Sequence, residues 1–106
     1  MTGFDEREQS FEAKFAHDET LRFRAIAKRN HRLGHWAAER MGLSGEDAEN
    51  YAKDVVKSDF EEVGDQDVVR KVMGDLTGHG VEIEEAEVRT LMDKFLAEVA
   101  AELDAS

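Results

Sequence analysis

Between Phe23 and Met41 the apolar side chains Phe23, Ile26, Leu33, Ala37 and Met41 recur at spacings of three, four and seven residues, along one side of an α-helix, with Trp36 at the stripe's edge. The same rhythm returns three more times. Tyr51, Ala52, Val55, Val56 and Phe60 line a second face, and Val68, Val69, Val72, Met73 and Leu76 a third. Val88, Leu91, Met92, Phe95, Leu96, Val99 and Leu103 line a fourth. No segment alternates apolar and polar positions as a half-buried strand would, and no proline occurs in the 106 residues. The chain reads as all-α, a compact four-helix bundle with a mobile or conditionally helical N-terminal segment, forming a single domain over residues 1–106.

Local signals set the boundaries. Gly42 is the natural C-cap of the first long helix. Ser44 is placed to cap the second, with Asp47 in its first turn and Leu43 positioned to staple onto Ala48. Gly64 interrupts the pattern, Asp65 is the expected cap of the third helix, and Gly78 and Gly80 end it. The fourth is expected from about Glu84 to Leu103.

Before these faces lies MTGFDEREQSFEAKFAHDE, a first amphipathic segment in which Phe4, Phe11 and Phe15 fall on one narrow helical stripe. The stripe joins the long helix directly or breaks near His17–Asp18, where Asp18 is a possible N-cap. Three Phe at helical spacing are usually core. Here, however, Asp5, Glu6, Arg7, Glu8, Glu12 and Lys14 flank them and leave almost no second apolar ridge. A free helix of about 14 residues is marginal and gains order mainly on docking.

Charge is segregated along the chain. The net charge is −11, yet residues 1–40 hold eight Lys/Arg against seven Asp/Glu, whereas residues 41–106 hold six against eighteen. No acid occurs from Thr20 to Ala38, while Arg22, Arg24, Lys28, Arg29 and Arg32 do. This basic rod either neutralises the acidic helices of its own chain or offers a surface to an acidic partner, and the two roles can divide between its ends. The acidic remainder makes a nucleic-acid partner unexpected. The absence of cysteine suits a reducing compartment, and no run approaches a membrane span or an apolar signal segment, so the expected location is the cytoplasm, without membrane insertion.

Site chemistry is sparse. His31 and His35 stand four apart, the spacing at which two imidazoles share a metal, but Arg24, Lys28 and Arg32 lie on the same side and would repel a cation, so two exposed histidines are expected instead. A calcium loop starting at Asp59 would put Val63 and Arg70 where oxygen ligands are required. GDLTGHGVEIEE has two glycines at dinucleotide-turn spacing but no preceding strand, and Ile83 where a third glycine belongs. No serine has a recognisable base beside it, and no carboxylate sits in an apolar setting. Neither catalytic residues, a metal nor a cofactor is expected, and the protein is not read as an enzyme.

The strings FEAKFAHDE, RFRAIAKRNHRLGHWAAERMGLSGEDAENYAKDVV and DFEEVGDQDVVRKVMGDL resemble the alphaproteobacterial zeta subunit family, inhibitors of the F-type ATP synthase. The likeness runs from Phe4 to about Leu76 and more loosely beyond. It implies a non-enzymatic inhibitor whose segment up to about Glu19 enters a catalytic alpha/beta interface of the synthase head beside the gamma shaft and blocks rotation in the hydrolysis direction. The stripe then makes Phe4, Phe11 and Phe15 the expected anchors, with Arg7, Glu8, Glu12 and Lys14 supplying charge complementarity. The implied place is the cytoplasmic face of the inner membrane, reached through the synthase. The mode is similar to that of the mitochondrial inhibitor protein, but no heptad pattern marks a dimer seam here, and a monomer is expected when free. A rival from another class is a small acidic adaptor that binds some other protein through the Phe stripe and the basic helix.

Overall fold

The computed structural model describes residues 19–59 and 65–105. Among these, four helices follow one another: α1 (Glu19–Arg40), α2 (Gly45–Ser58), α3 (Gln66–Gly78) and α4 (Glu85–Ala105). Phe60, Gly64 and the possible cap Asp18 lie outside the described residues, as does the whole Phe4–Phe15 stripe.

The helix ends show how local chemistry sets the boundaries. After α1, Leu43 N–H donates to Ala38 O (2.9 Å) and Gly42 N–H to Glu39 O (3.1 Å), with Gly42 at φ 81°. After α3, Val81 N–H donates to Leu76 O and Gly80 N–H to Thr77 O, both at 3.0 Å, with Gly80 at φ 78°. Both ends are Schellman caps, which need a left-handed residue that glycine adopts without steric cost. The helix starts depart from expectation. Ser44 and Asp65 do occupy the N-cap positions of α2 and α3, but neither side chain hydrogen-bonds a first-turn amide. Asp65 fails as a side-chain cap because its carboxylate is held by Arg29.

α1 is the hub. It packs against α2, α3 and α4, and α3 also packs against α2 and α4. The core is built from Leu33 and Ala37 of α1, Val55 of α2, Val68, Val69, Val72 and Leu76 of α3, and Val88 and Met92 of α4. Trp36, Met41, Tyr51, Met73, Leu91 and Phe95 close its edges. One residue of the expected stripe is displaced: Phe23 is 56% exposed, while Ala25 and Asn30 are fully buried and Arg29 nearly so. The inward face of α1 thus rotates toward 25, 29, 30, 33 and 37, with the buried Arg29 bonded to Asn30 and to Asp65, a pairing that the apolar pattern does not reveal.

At Gly34 α1 comes close to α2. A Cβ there would lie 2.6 Å from Ala52 Cα, 3.1 Å from Ala52 Cβ and 3.3 Å from Val55 Cβ. A helix-interior Gly→Ala change ordinarily gains about 0.5–1 kcal/mol. At Gly34 the obstructing atom is backbone, so the overpacking cost of roughly 1–3 kcal/mol wins. Gly74 on the exposed side of α3 has nothing within 4 Å of such a Cβ. We therefore expect Gly34→Ala to lower Tm by about 5 °C or more and Gly74→Ala to raise it by a few degrees, measured by thermal unfolding followed by circular dichroism.

Candidate functional site

Each of the five packed helix pairs carries a polar joint, and three of the five joints are anchored on the basic helix α1. Between α1 and α3, Arg29 donates from its two terminal nitrogens to Asp65, at 2.8 and 3.2 Å, and from Nε and Nη2 to Asn30 Oδ1, at 3.0 and 2.9 Å. Between α1 and α4, Arg32 pairs with Glu102, one contact being 2.6 Å, and with Glu98 at 3.5 Å. Between α1 and α2, Glu49 receives both histidines: His31 Nε2 lies 3.0 Å and His35 Nε2 2.8 Å from its Oε1.

The remaining joints avoid α1. Tyr51 of α2 donates its hydroxyl to Asp75 Oδ2 of α3 at 2.8 Å, and Lys71 reaches the same oxygen at 3.1 Å while lying over the Tyr51 ring. Arg89 of α4 donates to Gln66 of α3 at 2.9 Å. Burial and the neighbouring Asp75 carboxylate push the Tyr51 phenol well above its ordinary range, so it remains a neutral donor.

This geometry divides the basic residues singled out in the sequence. Arg29 and Arg32 are spent within the chain. Arg22, Arg24 and Lys28 are exposed and enter no ion pair among the described residues. The expected same-side repulsion at the histidines is also altered, because the Arg32 side chain turns to α4. His31 and His35 are not two exposed polar-face side chains, as expected; they are partly buried and share a partner. Glu49, Asn30 and the Tyr51–Asp75 pair were not singled out by sequence reasoning. The i, i+4 histidines were a usable signal, but nothing local marks Glu49 as their partner. Phe4, Arg7, Glu8, Phe11, Glu12, Lys14 and Phe15 lie outside the described residues.

The joints titrate in opposite senses. The Arg32 guanidinium holds the Glu102 carboxyl below its usual range, and hydrogen bonds from His31 and His35 do the same for Glu49. Asp59, at the C-cap of α2, is pushed up by burial and by Asp65 and Asp67, although Arg29 opposes this. Two polar atoms at this corner, Asn30 Nδ2 and Asp67 Oδ2, are buried without a hydrogen-bond partner.

What the four helices define is a small all-α protein in which polar joints link each packed pair of helices. The chain belongs to the ATPase inhibitor subunit zeta family, whose family model matches residues 1–102. Membership makes it an inhibitor acting on ATP synthase. A solved structure titled "Solution NMR structure of the protein" is similar to it at 47% identity and TM-score 0.70, covering 80% of this chain and 96% of that one. No curated protein matches the sequence. Among the described residues, no helix is long and apolar enough to cross a membrane.

Two outcomes follow for the joints. Arg29→Met should cost about 2–3 kcal/mol in urea unfolding, somewhat below a fully buried pair because Asp65 is 45% exposed. Asp59→Asn should stabilise by about 0.5 kcal/mol at neutral pH, since it removes a carboxylate from a helix C-terminus and from two neighbouring acids. The signs with pH differ. The Glu102 contribution is present at neutral pH and fades as pH falls through its lowered range, whereas the Asp59 penalty is absent in acid and appears as pH rises through its raised range. Urea midpoints of Arg32→Gln and Asp59→Asn against pH should therefore differ from the parent at neutral pH and converge toward it in acid.

Proposed function

We propose that the chain inhibits ATP hydrolysis by inserting its N-terminal segment, residues 1–19, at a catalytic alpha/beta interface of the synthase head beside the gamma shaft. Phe4, Phe11 and Phe15 serve as anchors, and Arg7, Glu8, Glu12 and Lys14 supply charge complementarity. The observation that carries the reading is the family match, which begins at residue 1 and so includes this segment together with the bundle. The sequence stripe supports it, since three Phe buried at about 1.5–3 kcal/mol each give a gross gain suited to a regulatory contact.

The bundle has a supporting role. Its core is assembled from side chains of all four described helices, and its polar joints bind each packed pair. Arg22, Arg24 and Lys28 continue the positive charge on the exposed first half of α1, next to the inhibitory segment in sequence. We assign them a secondary contact with an acidic surface of the same head.

The test is ATP hydrolysis by the purified cognate head with the full chain, with a form lacking residues 1–17, and with Phe11→Ala/Phe15→Ala. The full chain should inhibit, the truncation should not, and the double variant should be weaker by roughly a hundredfold or more. Replacing Arg22, Arg24 and Lys28 with Gln should slow association and flatten its dependence on salt. Full inhibition by the truncated form would place the inhibitory contact on the bundle instead.

A further inference from the structure

We propose that His31, His35 and Glu49 form a binding site for a zinc-class divalent cation, bridging α1 and α2. The donors are brought together by the fold. His31 and His35 are one turn apart on α1, and both direct Nε2 at Glu49 across the helix crossing, at 3.0 and 2.8 Å from the same oxygen. The two rings meet edge to face, with centroids 4.7 Å apart, and the three ligand atoms all lie within 4.8 Å of one another.

Those separations are near what a metal requires. Bonds of about 2.0–2.1 Å to imidazole nitrogen and carboxylate oxygen give tetrahedral donor–donor edges of roughly 3.3 Å; the two N···O separations are already close to this, and the two Nε2 atoms, within 4.8 Å of one another, are drawn together by rotation of the half-exposed side chains. To bind the ion each ring presents its Nε2 lone pair, so a neutral ring carries its single proton on Nδ1. Two nitrogens and one carboxylate are the donor set of an open zinc site, in which water takes the fourth position. The three side chains are each 40–42% exposed, which leaves a face for that water.

The donor chemistry selects the class of ion. A single carboxylate and two imidazoles suit zinc, cobalt, nickel or copper, whereas calcium and magnesium require a mainly oxygen shell. The charge environment permits it. Arg32, beside His31 in sequence, is turned to Glu98 and Glu102 on α4, and Arg40 lies over the Trp36 ring. Exposed Lys28, one turn before Arg32, contributes to the field at Glu102. Glu46 and Asp47, in the first turn of α2, add negative charge at the approach to Glu49.

The site is independent of the inhibitory reading and is tested without the synthase. Zn²⁺ is titrated into the full chain by calorimetry, Co²⁺ serves as an absorption probe of tetrahedral coordination, and Mg²⁺ and Ca²⁺ act as controls. We expect one saturable Zn²⁺ per chain, a tetrahedral Co²⁺ spectrum abolished by Zn²⁺, no competition from Mg²⁺ or Ca²⁺, and a Tm raised by roughly 10 °C at free zinc about a hundredfold above Kd. His35→Gln and Glu49→Gln should each weaken binding by at least ~10-fold, while His17→Gln and His79→Gln leave it unchanged. In the unsubstituted protein, imidazole ¹⁵N shifts on adding Zn²⁺ should fall on Nε2 of His31 and His35, which locates the ion even if a variant fails to fold. Absence of saturable Zn²⁺ binding, or shifts confined to His17 or His79, would overturn the proposal.

Discussion

At Gly34 the backbone of α1 lies so close to Ala52 of α2 that no side chain fits between them. Apolar burial favours any arrangement that covers the stripes, but a backbone approach of this kind is satisfied in very few. Once α1 and α2 are seated at this point, residues one turn either side of Gly34 are fixed in height and rotation against α2. His31 and His35, three residues before and one after the glycine, then reach the same oxygen of Glu49. Leu33 and Ala37 are turned into the core beside Val55. Because α1 also touches α3 and α4, an error in this crossing would be carried to every other helix pair.

The polar joints do a different kind of work. Most are half exposed, where an ion pair contributes about 0–1 kcal/mol, so their sum is small beside the burial of the core. Their value is in selecting among packings of similar apolar area. Helices with Val- and Ala-rich faces can slide by a turn with modest change in buried area, but a slide would strand Arg29, which is only 4% exposed, away from Asp65. The same shift would part Tyr51 from Asp75. A basic helix surrounded by acidic ones is thus a means of fixing register. It also bears on how a chain with a net charge of −11 forms a compact bundle: Arg29 and Arg32 of α1 stand among carboxylates that they offset.

Four helices were legible in the sequence because each repeats its apolar spacing within itself, and Gly42 marked its helix end because a Schellman cap is a local object. What was hidden depends on residues far apart in the chain. Nothing near Arg29 announces that Asp65, 36 residues later, will hold it, and for the same reason Asp65 reads as a side-chain cap from its own neighbourhood. Phe23 fits the stripe by spacing, yet the inward face follows Ala25, Arg29 and Asn30, so two buried polar residues shifted the helix away from the apolar reading. At the candidate metal site the sequence offered the histidine pair without its third ligand. It also placed Arg32 beside the histidines with Arg24 and Lys28, whereas the Arg32 side chain is turned to α4.

The two halves of α1 are held differently, and this bears on how an inhibitor can engage its target without losing its own fold. From Arg29 to Ala38 the helix is secured by three polar joints, the Gly34 crossing and the buried side chains of Leu33, Ala37 and Ala38. From Thr20 to Lys28 Ala25 alone is fully buried, and Arg22, Arg24 and Lys28 face solvent. A partner that binds the first half meets charge and exposed surface and need not break a joint to do so. On the proposed reading, the joints from Arg29 onward hold the helices together while the N-terminal segment docks. Strengthening the crossing between α1 and α2, whether by packing or by an ion at Glu49, would stabilise the bundle from Arg29 onward and leave the exposed side chains of Arg22, Arg24 and Lys28 untouched.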